Sequence, residues 1–225
     1  MRADENPYRP PGVALEPQGP EVPRYRPGGP LATSTIVMLY ITIPLEVAHG
    51  ARALLWPAAP IFDESPQTLV LVLVLSEVVA LVSVLAHLAC AALFCAWFHR
   101  AYRNLLALGE PRLRFAPGWA PGSFFVPLLN LFRPYQIARE IWRKSGGEAE
   151  SPGGPVAAWW TLFLTSGAVG LLEGRLPLEP TQGRVITVLG TLLSVAAAVV
   201  TAPMIRGVVR RQERRFQRQL EEPPR

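Results

Sequence analysis

Residues 68–98 read TLVLVLVLSEVVALVSVLAHLACAALFCAWF, an unbroken apolar run in which Glu77 and His87 are the only ionisable side chains besides the two cysteines. A helix needs about 20 mostly apolar residues to cross the hydrocarbon core of a bilayer. This run is long enough. Three others meet the same test, at residues 32–51, 156–172 and 185–204, the third of the four spans being the shortest. A fifth stretch, Trp119 to Phe132, has 14 residues and is interrupted by Pro121, Gly122 and Pro127, so it is too short and too broken to span. It is predicted to lie in the interface or to dip in and return, with protein or water covering its backbone polar groups. The expected fold is an all-α membrane protein: four transmembrane helices in two hairpins, with a short re-entrant or interfacial segment and an amphipathic helix between them.

Composition agrees, with half the residues apolar, a positive mean hydropathy and a net charge of +5, as for a membrane protein with basic flanks. Residues 1–30 hold eight prolines among glycines and charges and predict a disordered Pro-rich tail, without the apolar core of a secretory leader. The membrane domain is expected over 31–205, with an interfacial motif region at 99–145, and a basic tail over 206–225. Cys90 and Cys95 are five residues apart on one helix and point about 140° from each other. They suggest neither a metal site nor a redox pair.

Lysine and arginine set the orientation, because basic residues are retained on the cytoplasmic side. With four spans, one face receives 19 of the 22 basic residues, and the other only Arg52, Arg175 and Arg184. Both termini are therefore predicted cytoplasmic, in a cell inner membrane. If Trp119–Phe132 crossed, the cluster Arg100, Arg103, Arg112 and Arg114 would stand opposite Arg133, Arg139, Arg143 and Lys144, against that rule. Trp97, Trp119, Trp142, Trp159 and Trp160 fall near the inner interface and Trp56 near the outer one, where indoles prefer to sit.

Small residues allow close helix packing in lipid. Ser166, Gly170 and Gly174 form one such row, and Gly190, Ser194, Ala198 and Ala202 another, predicting a tight antiparallel pairing of the last two spans. Arg133 to Ser145 reads as an amphipathic helix, with Pro134 in its first turn and Tyr135, Ile137, Ala138, Ile141 and Trp142 on one side. It is expected to lie flat on the inner leaflet. After the fourth span, Arg206, Arg210, Arg211, Arg214, Arg215 and Arg218 are spaced to continue the helix with a basic surface suited to an anionic leaflet. No recognisable nucleic-acid-binding fold accompanies this charge.

Intramembrane ionisable groups are costly and mark candidate sites. Glu46 and His49 on the first span share a helix face. Counting inward at about 1.5 Å per residue puts Glu46 about 7 Å and Glu77 about 13 Å deep, so the three are candidates for a proton or cation site. His87 reads as a packing residue. No catalytic motif is present, and neither a catalytic residue, a metal nor a cofactor is expected. The densest polar information is cytoplasmic, where Arg100, Arg103, Asn104, Arg114, Asn130 and Arg133 are candidates for a clamp on a phosphate or lipid headgroup, because guanidinium offers paired donors to such oxygens.

The strings WFHRAYRNL (97–105), RFAPGWA (114–120) and FVPLLNLFRPY (125–135) through Trp142 resemble the bacterial membrane proteins of domain of unknown function 4328. The resemblance implies a multi-pass membrane protein and transfers no catalytic role. The leading expectation is a non-enzymatic protein whose inner-face platform binds anionic lipids or a protein partner. A small self-associating transporter or channel using Glu46, His49 and Glu77 is the alternative, and a membrane enzyme comes third.

Overall fold

The structure is a computed structural model that describes residues 24–55, 66–146 and 154–221. Most of the Pro-rich tail lies outside these. Among the described residues there are seven helices and no strand: α1 Gly29–Leu55, α2 Pro66–Ala107, α3 Trp119–Gly122, α4 Pro127–Asn130, α5 Arg133–Gly146, α6 Gly154–Arg175 and α7 Pro180–Glu221. Helices α1, α2, α6 and α7 are long and apolar enough to cross a membrane. The chain is an apolar, all-helical protein of the kind that inserts into membranes.

Helices α2 and α7 have 42 residues each, or about 63 Å, roughly twice the thickness of a hydrocarbon core. Their C-terminal ends therefore project beyond it, and α5 packs against both projections. Within the apolar part the neighbours run α2, α1, α7, α6: α1 contacts α2 and α7, α7 carries α6, and α2 reaches α6 by side chains, the Phe94 and Trp159 rings lying 5.7 Å apart. The outer half of α2 leaves a continuous file of large apolar side chains exposed, from Val70 and Leu71 to Leu85 and Leu88. A water-facing surface rarely carries so large an apolar patch. Hydrocarbon would cover it without cost.

The packed core lies instead at the projecting end. Trp97, Phe98, Ala101, Tyr102 and Leu105 of α2 meet Ile137, Ala138 and Ile141 of α5 and Ala202, Met204, Ile205 and Val208 of α7, all buried. Rings of Phe94, Phe98, Phe124, Trp159 and Phe163 form a linked cluster at 5.6–6.2 Å between centroids, which ties α2 and α6 to the 119–132 segment.

Three local expectations change. The apolar face of α5 does not lie open to a leaflet, because α2, α6 and α7 cover it. An amphipathic helix seals against whichever apolar surface is nearest, and here protein is. Of the two small-residue rows only that on α7 is packed: Gly190 faces Val169, and Ala198 and Ala202 are buried, whereas Gly170 and Gly174 meet nothing within 4 Å. On α6 the contact row is Val169 and Glu173, the latter accepting a hydrogen bond from Thr187. Finally, residues 24–30, read with the tail, are ordered. Tyr25 stacks on Phe216 at 4.3 Å, and Gly28 is buried beside Val209.

The close approach that most needs a glycine is elsewhere, at Gly50, where a Cβ would stand 2.8 Å from the Thr191 hydroxyl oxygen and 3.1 Å from its Cβ. Gly50→Ala is expected to destabilise by roughly 1–2 kcal/mol through overpacking of α1 on α7. Gly170→Ala, which meets open space, is expected to stabilise by about 0.5–1 kcal/mol through helix propensity. Unfolding of the two variants in matched micelles measures the opposite signs.

Candidate functional site: the inner-end platform

Helix α2 ends where Gly109 adopts φ 83°, a conformation that glycine enters without steric cost. The loop that follows is held by Glu140. One carboxylate oxygen accepts from the Tyr102 hydroxyl at 2.8 Å, the other from the Arg114 backbone N–H at 3.1 Å, and Lys144 pairs with it at 2.9 Å. The Tyr102 oxygen in turn accepts the Phe115 N–H at 3.1 Å, and Lys144 donates to Arg112 O at 2.7 Å. Burial, then the hydrogen bond to Glu140, raises the Tyr102 pKa well above the usual phenol value. The hydroxyl thus stays protonated and keeps its donor at neutral pH.

This loop presents Phe115 to two cations. The guanidinium of Arg133 lies 4.3 Å from the Phe115 ring centroid and 5.5 Å from that of Trp119, while Arg114 lies 5.2 Å from Phe115. Cation–π contact orients both. Neither guanidinium has a carboxylate partner among the described residues, and the buried Nε of Arg133 has no acceptor. Beside them, α3 and α4 form two single turns, with Phe125 between them exposed at 78% and Leu128 on α4 at 77%. A cationic pair thus adjoins an apolar prominence.

The six residues picked from sequence do not converge on one point. Arg114 and Arg133 come together on Phe115. Arg100 donates at 3.5 Å to Pro27 O, and Arg103 is exposed. Asn104 is buried and occupied, donating at 2.8 Å to Arg26 O and accepting at 3.2 Å from Arg26 N–H. It also donates to Gln212 at 3.4 Å, and Gln212 donates to Ala101 O and Ser145 Oγ at 2.8 and 3.1 Å. Asn130 faces inward between the long helices, on a separate cavity.

The apolar part holds a different pair from the one expected. Glu46 lies 2.8 Å from His87 Nε2, while His49 and Glu77 stand on exposed faces. Counting inward from the outer ends takes the first two spans as level, but α2 is far longer than a bilayer is thick. His87 is thereby level with Glu46, and Glu77 lies ten residues, about 15 Å, further along. His87 reads from sequence as a packing residue, and neither it nor Gln212 nor Glu140 stands among the sequence-predicted site residues. The i,i+4 spacing of Glu140 and Lys144 was the one visible signal. No cluster of three potential metal ligands occurs among the described residues.

Residues 63–210 match the family model described as domain of unknown function (DUF4328). No curated protein and no solved structure matches.

Proposed function

The chain belongs to the DUF4328 family, and we propose that it is a non-enzymatic, multi-pass protein of the cell membrane whose inner-face platform binds anionic lipid headgroups at Arg114 and Arg133. One observation carries the reading: two guanidiniums share the Phe115 ring with no carboxylate paired to either among the described residues. A phosphate bridging them would accept charge-assisted hydrogen bonds in a fork geometry that suits its oxygens. In this reading both termini and the platform are cytoplasmic, and the 119–132 segment dips into the inner leaflet by Phe125 and Leu128. That places the arginine pair at headgroup depth, where anionic lipids concentrate basic groups.

Full-length protein in neutral detergent, titrated with short-chain phosphatidic acid and followed by tryptophan fluorescence, tests this, since Trp119 lies beside Arg133. Saturable binding is expected, with phosphatidylcholine failing to compete. The double variant Arg114→Gln, Arg133→Gln is expected to bind about 10–100-fold more weakly, the equivalent of one or two charged hydrogen bonds. Unchanged affinity in that variant would remove the platform as a headgroup site. The transporter reading has less support, because the residues it required, Glu46, His49 and Glu77, do not gather.

A further inference from the structure

A cavity of about 420 Å³ lies among α1, α2, α6 and α7, with Phe124 and Asn130 of the 119–132 segment at its inner end and the Glu46–His87 pair toward the other. Its size is that of a small-molecule site, for which about 300–1,000 Å³ is usual. Its walls are mainly apolar, Phe94, Phe163 and Val195 among them. The backbones of α2 and α6 stand apart where both line it, and the Phe94 and Trp159 rings, 5.7 Å between centroids, bridge them at the inner end, so the side between them beyond that bridge opens toward the medium that covers the apolar face of α2. That medium is hydrocarbon.

Two features define the chemistry of the occupant. The first is charge. His87 Nδ1 lies 2.7 Å from Ser83 O, a carbonyl that can only accept, so Nδ1 carries a proton. A single further proton lies between Nε2 and the Glu46 carboxylate, and the pair is net neutral whichever of the two holds it. The second is a vacant acceptor. Asn130 Oδ1 has no hydrogen-bond partner among the described residues and no surface open to the cavity, so a donor pairs with it once the amide turns toward the chamber, which relieves an unfavourable burial.

We infer that this cavity binds an uncharged single-chain membrane amphiphile that enters sideways between α2 and α6 and donates a hydroxyl hydrogen bond to Asn130 Oδ1. A charged headgroup does not fit an apolar chamber whose ionisable pair is already neutralised internally. A hydrocarbon chain does, since the chamber adjoins lipid and shares its polarity. The inference is independent of the arginine pair at the platform, which is a separate surface.

The test uses full-length protein in phosphatidylcholine vesicles and cetyl alcohol bearing a mid-chain diazirine, with labelled residues mapped by mass spectrometry. Labelling at Cys95, Ser166 and Val195 is expected to be saturable and to fall at least 10-fold with excess unmodified cetyl alcohol. Labelling at Val78 and Leu85, on the lipid-exposed face, is expected to resist competition. Cetyl methyl ether, which cannot donate, should compete at least 5-fold less well, and Asn130→Leu should erase that difference. Ala91→Phe places a ring in the cavity from an exposed position and should lower cavity labelling at least 10-fold while leaving Val78 unchanged. Uniform labelling that nothing competes, or cavity labelling untouched by Ala91→Phe, overturns the inference. So does cross-linking between two copies through the α2–α6 opening, because a second chain would then be the occupant.

Discussion

Trp142→Ala is expected to cost about 3–5 kcal/mol, the range for deleting a large buried ring. The indole is 6% exposed, and Gly207 of α7 makes room for it: a Cβ there would stand 3.0 Å from two ring carbons. The Arg211 guanidinium lies 3.8 Å from the ring centroid, and the same residue donates to the Trp142 carbonyl at 3.3 Å. Removing the ring leaves a cavity between α5 and α7 and takes away the surface on which Arg211 rests. Spans need not unfold for this to happen, because stability is distributed in local units. Hydrogen exchange is therefore expected to rise at residues 137–146 and 204–215, with exchange in α6 unchanged. A fall in protection spread evenly over all four long helices would mean that the platform is no separate unit.

Gln212→Leu is expected to be the second most damaging change, at about 2–4 kcal/mol, since each buried polar group left unpaired costs about 1–3 kcal/mol. Gln212 is 2% exposed and joins three parts of the platform: the Ala101 carbonyl of α2, the Ser145 hydroxyl of α5 and the Asn104 amide. Leucine matches its volume but strands the Ser145 hydroxyl, which is itself fully buried. Asn104→Leu belongs with it. That variant is expected to lower stability and to loosen residues 24–28 while leaving phosphatidic acid affinity intact in the fraction that stays folded. Chemical unfolding in micelles and the lipid titration separate the two effects. An Asn104 variant with full stability and weakened lipid binding would return Asn104 to the binding site.

These expectations show what can be read from the sequence and what cannot. Span count, the non-spanning length of Trp119–Phe132, the helix over 133–145 and the continuation of α7 follow from hydrophobic length and periodicity, which are local quantities. Partner choice is not local. Asn104 looks like a ligand-binding amide because its occupants are the backbone of Arg26 and the side chain of Gln212, 78 and 108 residues away. The Glu46–His87 pair was missed for a related reason: register between two helices depends on how far each projects, and a run of apolar residues gives no marker of level. The face of α6 that packs was also misread, because glycines permit close approach without requiring it. Arg114 and Arg133 meet on the Phe115 ring, but the sequence grouped them with four other residues and did not single the pair out.

A protein with four spans is expected to gather its platform and both ends on one side of the membrane. Single cysteines at Pro111, Leu178 and Glu221, in a background with Cys90 and Cys95 replaced, test it by labelling of oriented vesicles with an impermeant maleimide. Positions 111 and 221 are expected to react from the cytoplasmic side alone and 178 from the opposite side alone. Reaction of 111 and 221 from opposite sides would contradict it, because the 119–132 segment would then cross the bilayer and the arginine pair could not sit at the inner headgroups as described.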